Sequence, residues 1–451
     1  MKIFQLSTLF ALIFAQASFA DWYEDAVLAY MRGDYASTLE ISRPLAENGD
    51  ARANNFLGTM YEEGHGVEQS FETAVQHYEA AIAGGNMKAA ANLGDLLIEG
   101  GGSVAADRPR AFELLTMAIE AGNTAALNNM GRLYQMGING EPDFIQAMDY
   151  YHRAHAAGIL DGTRNIGLLL ALGLGAPLNL EEARRFMKMA ADGGHVTGMR
   201  DYAYMLELGM GGDVDYPQAV IYYEQAASEG HAQAANDLGL IYEYGGPGVA
   251  ADAVKAAGYY ELATSLGHRW GASNLANFLS DGDQTVPDDI PRAISLYHQA
   301  FEMGVADAYA NLSYLYWDGV GVPQDYDEAQ RYLKLAAEAG SARAFNDLGV
   351  MAETGLLGPA DIALAADFYE TSAMMGNSFA GWNLALILLN EGFAGYDRVE
   401  AYAWCAWAID RETDEAIRAD MRADCGDPAG DLSQSELLAS MGRYNELLEN
   451  Y

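Results

Sequence analysis

Two cysteines, Cys405 and Cys425, are the side chains of this 451-residue sequence that are best suited to covalent chemistry. In an oxidising compartment such a pair forms one disulfide bond, which would staple a C-terminal helix to the structure before it. Otherwise the same residues would be two buried thiols, because free cysteine packs as a small apolar side chain. The residues alone leave both interpretations open.

The eight histidines are the next candidates, because histidine is a common metal ligand. His195, His231 and His268 each follow a glycine and recur at a nearly constant interval, which indicates a structural repeat position. His152 and His155 share a helix face, but neither has a nearby cysteine or a third ligand at metal-site spacing. We therefore predict no metal site and no cofactor.

Catalytic motifs are absent from the sequence. It contains no Gly-x-Ser-x-Gly elbow, no cysteine with a matched histidine and no phosphate-binding glycine loop. Carboxylates are plentiful, but helix capping accounts for many of them. We predict no catalytic residues and no enzyme activity, and we keep a binder or hydrolase of cell-wall glycan fragments as the alternative.

The charge balance narrows the class of partner. The sequence has 64 acidic against 25 basic residues, which gives a formal net charge of -39 at pH 7. Nucleic acid is excluded as a partner, because phosphate binding needs a concentrated basic surface. The apolar fraction of 51% also excludes disorder for the bulk of the chain. These values favour a folded, acidic protein that attracts basic partners.

The first twenty residues, 1–20, have the layout of a cleavable secretory signal. Lys2 precedes an apolar stretch, and Ser18 and Ala20 are small residues at the two positions that a signal peptidase reads. The apolar run is shorter than the roughly 20 residues that a membrane-spanning helix needs. We predict an exported protein, periplasmic in the first place and secreted as the alternative, with no membrane insertion after cleavage.

The remaining chain is periodic. An alanine recurs at intervals of 36 or 37 residues, and two glycine series that begin at Gly64 and Gly85 keep the same period. The alanine series is Ala74, Ala111, Ala147, Ala183, Ala219, Ala256, Ala293, Ala329, Ala365 and Ala401. Three series with one period predict ten repeats between residues 51 and 410.

Each repeat is predicted to form two helices. In one repeat Leu238, Gly239 and Tyr242 share a helix face, and Gly245 is expected to end that helix. Four residues before each alanine stands Asp, Asn or Ser, which are residues that cap helix N-termini. The capping series is Ser70, Asp107, Asp143, Asn179, Asp215, Asp252, Asp289, Asp325, Asp361 and Asp397. Because one hairpin cannot bury its apolar face alone, stacked neighbours must supply the core.

The combined pattern is Asn-Leu-Gly-x-x-Tyr-x-x-Gly followed by Asp-x-x-x-Ala-x-x-Tyr-Tyr-x-x-Ala-Ala-x-x-Gly. It resembles the Sel1-like repeat, a relative of the tetratricopeptide repeat, over residues 51–410. The sequence departs from this pattern where Ala203, Ala276, Ser313 and Ala385 replace the first-helix glycine, although all four are small. The resemblance implies an all-α fold, a right-handed α/α superhelical solenoid of about ten helix-turn-helix repeats.

The two ends are expected to cap this array with helices. Residues 21–50 resemble a tetratricopeptide-type hairpin. Residues 411–451 predict one helix over 413–424 and a second that opens with the Ser-x-x-Glu capping box at 433–436. A loop over 426–430 is expected to separate the two.

One first-helix position is Asn or Asp in nine of ten repeats, although neither residue favours helix interiors. By resemblance to tetratricopeptide arrays it faces the concave groove, where amides and carboxylates can bind the peptide groups of a ligand. Alternatively, each side chain bonds a neighbouring helix and locks the superhelix. This first groove column is Phe56, Asn92, Asn129, Asn165, Asp201, Asp237, Asn274, Asn311, Asp347 and Asn383.

One turn further on, a second groove column varies in residue type. Tyr204, Tyr314 and the nearby Trp317 are aromatic residues of the kind that dominates protein interfaces, with ordinary packing between repeats as the alternative. The second column is Thr59, Asp95, Arg132, Leu168, Tyr204, Leu240, Asn277, Tyr314, Val350 and Leu386. The selected groove candidates are Asn129, Asn165, Asp201, Tyr204, Asp237, Asn274, Asn311, Tyr314, Trp317 and Asp347.

The function that these patterns predict is an exported, non-catalytic scaffold or adaptor that binds another protein in its concave groove. The partner would contribute a peptide segment or loop, basic in character or belonging to an envelope protein. The resemblance implies a role in envelope signalling or in envelope and polysaccharide assembly. The sequence does not choose between these roles, and it indicates no oligomeric state.

Overall fold

The computed structural model describes residues 22–281, 288–356 and 358–450, so the predicted signal segment 1–20 lies outside the described residues. The chain divides into two compact units, Met1–Ala226 and Ala227–Tyr451, here called unit 1 and unit 2. None of the described helices is both long enough and apolar enough to cross a membrane.

Unit 1 begins with a helical hairpin and continues with repeated hairpins, and it ends within its last helix. Its helices are α1 (Trp22–Met31), α2 (Tyr35–Glu47), α3 (Ala51–Glu63), α4 (Phe71–Ala83), α5 (Met87–Glu99), α6 (Arg108–Glu120), α7 (Ala125–Met136), α8 (Phe144–Ala156), α9 (Leu160–Leu172), α10 (Leu180–Asp192), α11 (Val196–Glu207) and α12 (Tyr216–Ser228).

Unit 2 continues the hairpins and ends in three further helices. Its helices are α13 (Ala232–Tyr244), α14 (Ala253–Ser265), α15 (Arg269–Asp281), α16 (Ile290–Glu302), α17 (Asp307–Asp318), α18 (Tyr326–Glu338), α19 (Ala342–Thr354), α20 (Ile362–Met374), α21 (Ser378–Leu388), α22 (Arg398–Arg411), α23 (Glu415–Cys425), α24 (Pro428–Asp431) and α25 (Gln434–Asn450). The all-α class and the consecutive helix-turn-helix pairs are confirmed.

The first helices of the repeats are the odd-numbered helices from α3 to α21, and each packs against the even-numbered second helix that follows it. First helices of adjacent repeats also touch one another, as α15 touches α17 and α17 touches α19 in unit 2. Within each unit, these first helices carry the residues of both groove columns.

The capping series is confirmed at all ten positions. The side chain of Asp252, for example, accepts the backbone N–H of Lys255 at 3.1 Å, and α14 begins directly after it. The other nine residues of the series accept backbone N–H groups in the same way. Gly245 ends α13 with a φ of 69°, a left-handed value that glycine adopts without strain. Much of the aspartate in this chain is consequently structural.

A buried tyrosine of the second helix packs against a glycine of the first helix in several hairpins. Tyr151 is fully buried, and a Cβ atom at Gly131 would lie 2.5 Å from its ring. The Tyr151 hydroxyl donates to the Gln135 side chain at 2.8 Å. Tyrosine–glutamate pairs repeat this contact at Tyr78 and Glu62, Tyr223 and Glu207, Tyr260 and Glu243, and Tyr369 and Glu353. The glycine and tyrosine columns thus form one packing arrangement.

Two connecting segments contain regular structure. Gly100–Gly101 (β1) and Val104–Ala105 (β2) pair as a short antiparallel hairpin between α5 and α6. The expected loop 426–430 was wrong in part, because Pro428–Asp431 is a short helix. Proline suits the first position of a helix, where its missing N–H would have no partner.

The C-terminal helices dock on the last hairpin. A disulfide bond with an S–S distance of 2.08 Å joins Cys405 of α22 to Cys425 of α23, and both residues are buried. Helix α25 also packs on α22, where Arg443 pairs with Glu400 at 2.9 Å. The predicted capping box is confirmed, since the Glu436 carboxylate accepts the backbone N–H of the Ser433 residue at 2.8 Å.

Candidate functional site

The first groove column forms hydrogen bonds between adjacent repeats. The Asn165 side-chain amide donates to Asn128 Oδ1 at 3.0 Å, and Asn128 immediately precedes the column position of the previous repeat. Three other pairs repeat this geometry: Asn92 with Asn55, Asn274 with Asn236, and Asn383 with Asn346. We call these pairs the amide ladder. These contacts agree with the second interpretation of the column, in which its side chains bond neighbouring helices and lock the repeats together, and not with binding of a ligand by the same groups.

At one junction between repeats, an ion pair takes the place of the amide pair. Where the column residue is Asp201, the preceding-position residue of the previous repeat is Arg164, and its Nε donates to the carboxylate at 2.7 Å. The Asp201 side chain is 16% exposed and the Arg164 side chain 25% exposed, so solvent screens this pair only in part. The Asp201 carboxylate is thus matched by a guanidinium from the previous repeat.

In each unit, one Asn of the first groove column does not bond the usual partner position of the previous repeat. In unit 1 the partner position for Asn129 is Ala91, which has no side-chain acceptor, and within the described residues the Asn129 side chain forms no hydrogen bond. In unit 2 the partner position for Asn311 is Ser273, and Asn311 donates instead to Asn277 Oδ1 at 3.0 Å. Both departures lie beside a cleft.

The larger of these two clefts lies in unit 2 and has a volume of about 960 Å³. The first helices α13, α15, α17 and α19 contribute most of its wall. We call it the unit-2 cleft, and the lining residues that matter here are Leu240, Glu243, Tyr244, Asn274, Asn277, Asp281, Asn311, Tyr314 and Arg343. Three of the ten sequence candidates, Asn274, Asn311 and Tyr314, therefore meet at one site.

One side of the unit-2 cleft is a connected polar network. Arg343 donates to Asn311 Oδ1 at 2.8 Å, and its guanidinium lies over the Tyr314 ring at 4.8 Å from the centroid. The Tyr314 hydroxyl donates to Asp347 Oδ2 at 2.7 Å. Burial and the nearby Asp347 carboxylate raise the pKa of Tyr314 to about 12, so it remains a hydrogen-bond donor at neutral pH.

Asp347 gives the network a pH dependence that can be measured. Burial raises its pKa above the ordinary value of 3.8, so its stabilising contribution is present below that value and is lost as pH rises through the folded-state pKa. We expect Asp347→Asn to flatten the decline in unfolding free energy that begins as pH rises above about 4. Tyr314→Phe should steepen it, because the lost hydrogen bond holds the pKa of Asp347 down. Urea unfolding at several pH values measures both slopes, and parallel profiles for the three proteins would contradict the assignment.

The opposite side of the unit-2 cleft offers unused binding groups. Within the described residues, Asn274 Oδ1 accepts no hydrogen bond and the Asn277 amide nitrogen donates none. Leu240 and Tyr244 lie beside them and are 37% and 75% exposed. Among the described residues, the cleft therefore presents one acceptor and one donor without a partner, together with an apolar surface.

A smaller cleft of about 560 Å³ lies in unit 1, and two further candidates, Asn129 and Asn165, line it. Its Arg132 pairs with Asp95 at 2.5 Å and with Glu99 at 2.9 Å. Burial raises the pKa of Asp95, and the Arg132 guanidinium opposes that shift. The Arg132 guanidinium is therefore paired with two carboxylates of the same cleft.

The other five candidates line neither cleft. Asp201 is held by Arg164, and Asp347, 7% exposed, is held by Tyr314. Three residues remain, and they are partly exposed: Tyr204, Asp237 and Trp317. Arg200 lies over the Tyr204 ring at 4.9 Å, and the Trp317 ring contacts those of Tyr314 and Tyr326.

The Sel1 repeat family matches nine segments that together span most of residues 51–377. The segments are 51–86, 88–123, 124–158, 161–195, 196–231, 232–268, 271–305, 306–341 and 342–377. The chain belongs to the Sel1 repeat family. The tenth hairpin, α21 with α22, lies beyond the matched segments of this Sel1 repeat protein.

Solved structures similar to this Sel1 repeat protein include a protective antigen of uropathogenic Escherichia coli strains that displays an SLR fold. It is 27% identical with a TM-score of 0.55, over 94% of this chain and 90% of that chain. A Sel1 repeat protein from Oxalobacter formigenes is 25% identical with a TM-score of 0.48, over 55% of this chain and 96% of that chain. Among curated proteins, none matches the chain. Sel1 repeat proteins are generally protein–protein interaction scaffolds.

Six of the nine residues named for the Sel1 repeat protein's unit-2 cleft were not among the selected candidates, and two of the six, Asn277 and Arg343, belong to its hydrogen-bond network. Asn277 stands in the variable second column, and Arg343 stands one helical turn before Asp347 on α19. The sequence could have indicated Arg343, because it stands four residues before the column residue Asp347 and such pairs meet on one helix face. His195 and His231, which were expected to be repeat-position histidines, cap α11 and α13 by accepting backbone N–H groups.

Proposed function

We propose that this Sel1 repeat protein is a non-catalytic scaffold that binds a segment of a partner protein in the unit-2 cleft. The observation that carries this proposal is that, within the described residues, Asn274 Oδ1 accepts no hydrogen bond and the Asn277 amide nitrogen donates none, in the same cleft as the exposed Leu240 and Tyr244. Both asparagines are half-buried, so these groups can be reached by a ligand, and a peptide supplies one backbone donor and one acceptor per residue. The apolar side chains supply contact area next to them.

The proposed place of action is outside the cytoplasm. The signal-like pattern of residues 1–20 supports export, to the periplasm first and to the exterior as the alternative. Adaptors of this kind fit envelope signalling or the assembly of envelope components and polysaccharide. Cell-wall glycan fragments are the second candidate ligand, since the exposed Tyr244 ring lies in the same cleft as the Glu243 and Asp281 carboxylates.

We expect the double substitution Leu240→Ser with Tyr244→Ser to weaken partner capture by about tenfold or more, because truncating a central interface aromatic typically removes at least ~1–2 kcal/mol. Both side chains are exposed, so the fold should tolerate the change. Crosslinking and pull-down of the mature protein from its native envelope measures the effect, with a photoreactive phenylalanine analogue at position 244 to report direct contact.

Leu364→Ser is the matched control, since this leucine is 43% exposed in unit 2 and does not line the cleft. It should capture the same partner as the unmodified protein. If the double variant captures that partner equally well, the cleft is not the binding surface. If no protein crosslinks and a muropeptide mixture binds instead, the protein binds cell-wall glycan fragments and the scaffold proposal is wrong.

A further inference from the structure

The charges that line the unit-2 cleft are unbalanced. Glu243 and Asp281 stand on its α13 and α15 side, and neither forms an ion pair within residues 22–281, 288–356 and 358–450. The Glu243 carboxylate accepts the Tyr260 hydroxyl at 2.5 Å, which is a neutral partner. An occupant of the cleft would therefore meet two carboxylates that lack a counter-charge.

The cation of the cleft is already engaged on the other side. Arg343 donates to Asn311, and its Nε lies 3.9 Å from the Asp347 carboxylate. It also covers the Tyr314 ring. Because its guanidinium is directed toward these three residues, it forms no ion pair with Glu243 or Asp281 across the cleft.

The unmatched hydrogen-bonding groups distinguish between shapes of ligand. A helical segment pairs its own backbone groups, so it would leave Asn274 Oδ1 and the Asn277 amide nitrogen unmatched. An extended segment presents backbone N–H and C=O groups to its surroundings and can satisfy both amides. An acidic segment would add like charge beside Glu243 and Asp281, which is unfavourable.

We infer that the occupant of the unit-2 cleft is an extended segment of the partner that carries a lysine or arginine. Its backbone bonds Asn274 and Asn277, and its cationic side chain lies against Asp281 and Glu243. This inference rests on the proposed function and specifies its ligand. The net charge of -39 supports it, since a strongly acidic protein accelerates encounters with basic segments.

The test uses short peptides selected by display from a random library against the full mature protein. Each selected peptide is resynthesised with its lysine or arginine replaced by norleucine, which keeps an aliphatic side chain and removes the charge. Fluorescence anisotropy should show that this replacement weakens binding about three- to tenfold, as expected for a partly desolvated ion pair. The difference should shrink at high salt.

A charge-neutralising variant locates the effect within the protein. Asp281→Asn should weaken binding of the basic peptide and leave binding of the norleucine peptide unchanged. Asp367→Asn is the control, because Asp367 is also an exposed aspartate of unit 2 and does not line the cleft. If Asp281→Asn weakens the binding of both peptides equally, the Asp281 carboxylate does not recognise the charge of the peptide.

The outcomes separate this inference from the proposed function. Selected peptides without lysine or arginine, or without sensitivity to norleucine, overturn the inference while the scaffold stands. If no peptide is selected but Leu240→Ser with Tyr244→Ser abolishes partner capture, the partner uses a folded surface and the inference fails alone. If the cleft variants also leave capture unchanged, both proposals fail.

Discussion

Tyr151→Ala is expected to lower the free energy of unfolding by about 3–5 kcal/mol, the range measured for removal of large buried aromatic side chains. Tyr151 is fully buried and packs directly on Gly131, so its removal leaves a cavity that a rigid hairpin cannot close. Its hydroxyl also satisfies Gln135. Urea unfolding followed by far-UV circular dichroism measures the loss in unit 1.

The adjacent residue provides the matched control for this experiment. Tyr150 is only partly buried and stacks on Tyr134 at 5.4 Å, so Tyr150→Ala should cost about 1 kcal/mol. Tyr151→Phe separates the ring from the hydroxyl and should also cost about 1 kcal/mol. Equal losses for Tyr150→Ala and Tyr151→Ala would show that the glycine–tyrosine contact does not hold the hairpin together.

The second large effect is expected at the C-terminal end. Replacing Cys405 and Cys425 together by serine should lower stability by about 3 kcal/mol, because the bond closes a loop with a sequence separation of 20 residues and restricts the unfolded chain. Helix α23 should lose most of its protection, since the disulfide fixes it to α22. Hydrogen exchange of α22 and α23, together with thermal unfolding, measures the change.

A reducing agent supplies the control for the disulfide prediction. Treating the unmodified protein with dithiothreitol under mildly destabilising conditions should reproduce the loss seen in the double serine variant. The variant itself should not respond to dithiothreitol. A variant as stable as the unmodified protein would show that docking of α25, through Arg443 and Glu400, suffices to hold this end.

Features set by local spacing could be predicted from the sequence. Asp252 and the other capping residues stand at a fixed distance before their helices, and Gly245 ends its helix by its backbone freedom alone. Neither prediction needs knowledge of a distant partner. For the same reason the capping box at Ser433 was identified correctly.

Contacts between repeats could be predicted only in part. The column of Asn165 was identified, but its partner Asn128 was not, because that pairing depends on how one helix is rotated against the next. The departure at Asn311, which bonds Asn277 in place of the usual partner position, follows from side-chain size at Ser273. A repeat average conceals such individual substitutions.

The candidate site could also be predicted only in part. Asn274, Asn311 and Tyr314 lie at one cleft, since first-helix positions of successive repeats lie near each other. Asp347 and Asp201 were selected as members of the first groove column, yet Tyr314 and Arg164 engage them. Whether a polar groove residue is available to a ligand depends on its neighbours, and one-dimensional periodicity does not contain that information.

The amide ladder bears on how such a chain can grow or be re-engineered. Five junctions join two particular side chains, four of them amide with amide and one Arg164 with Asp201, so each of these junctions depends on a matched pair of residues. The repeats of this chain are consequently not interchangeable with one another. Excising the repeat that holds Ala91 would bring Asn55 opposite Asn129 and create a matched junction, whereas transplanting the Arg164 repeat before an asparagine would strand its charge. We therefore expect a duplication or exchange of repeats in this chain to be tolerated best where the residues at the new junction match.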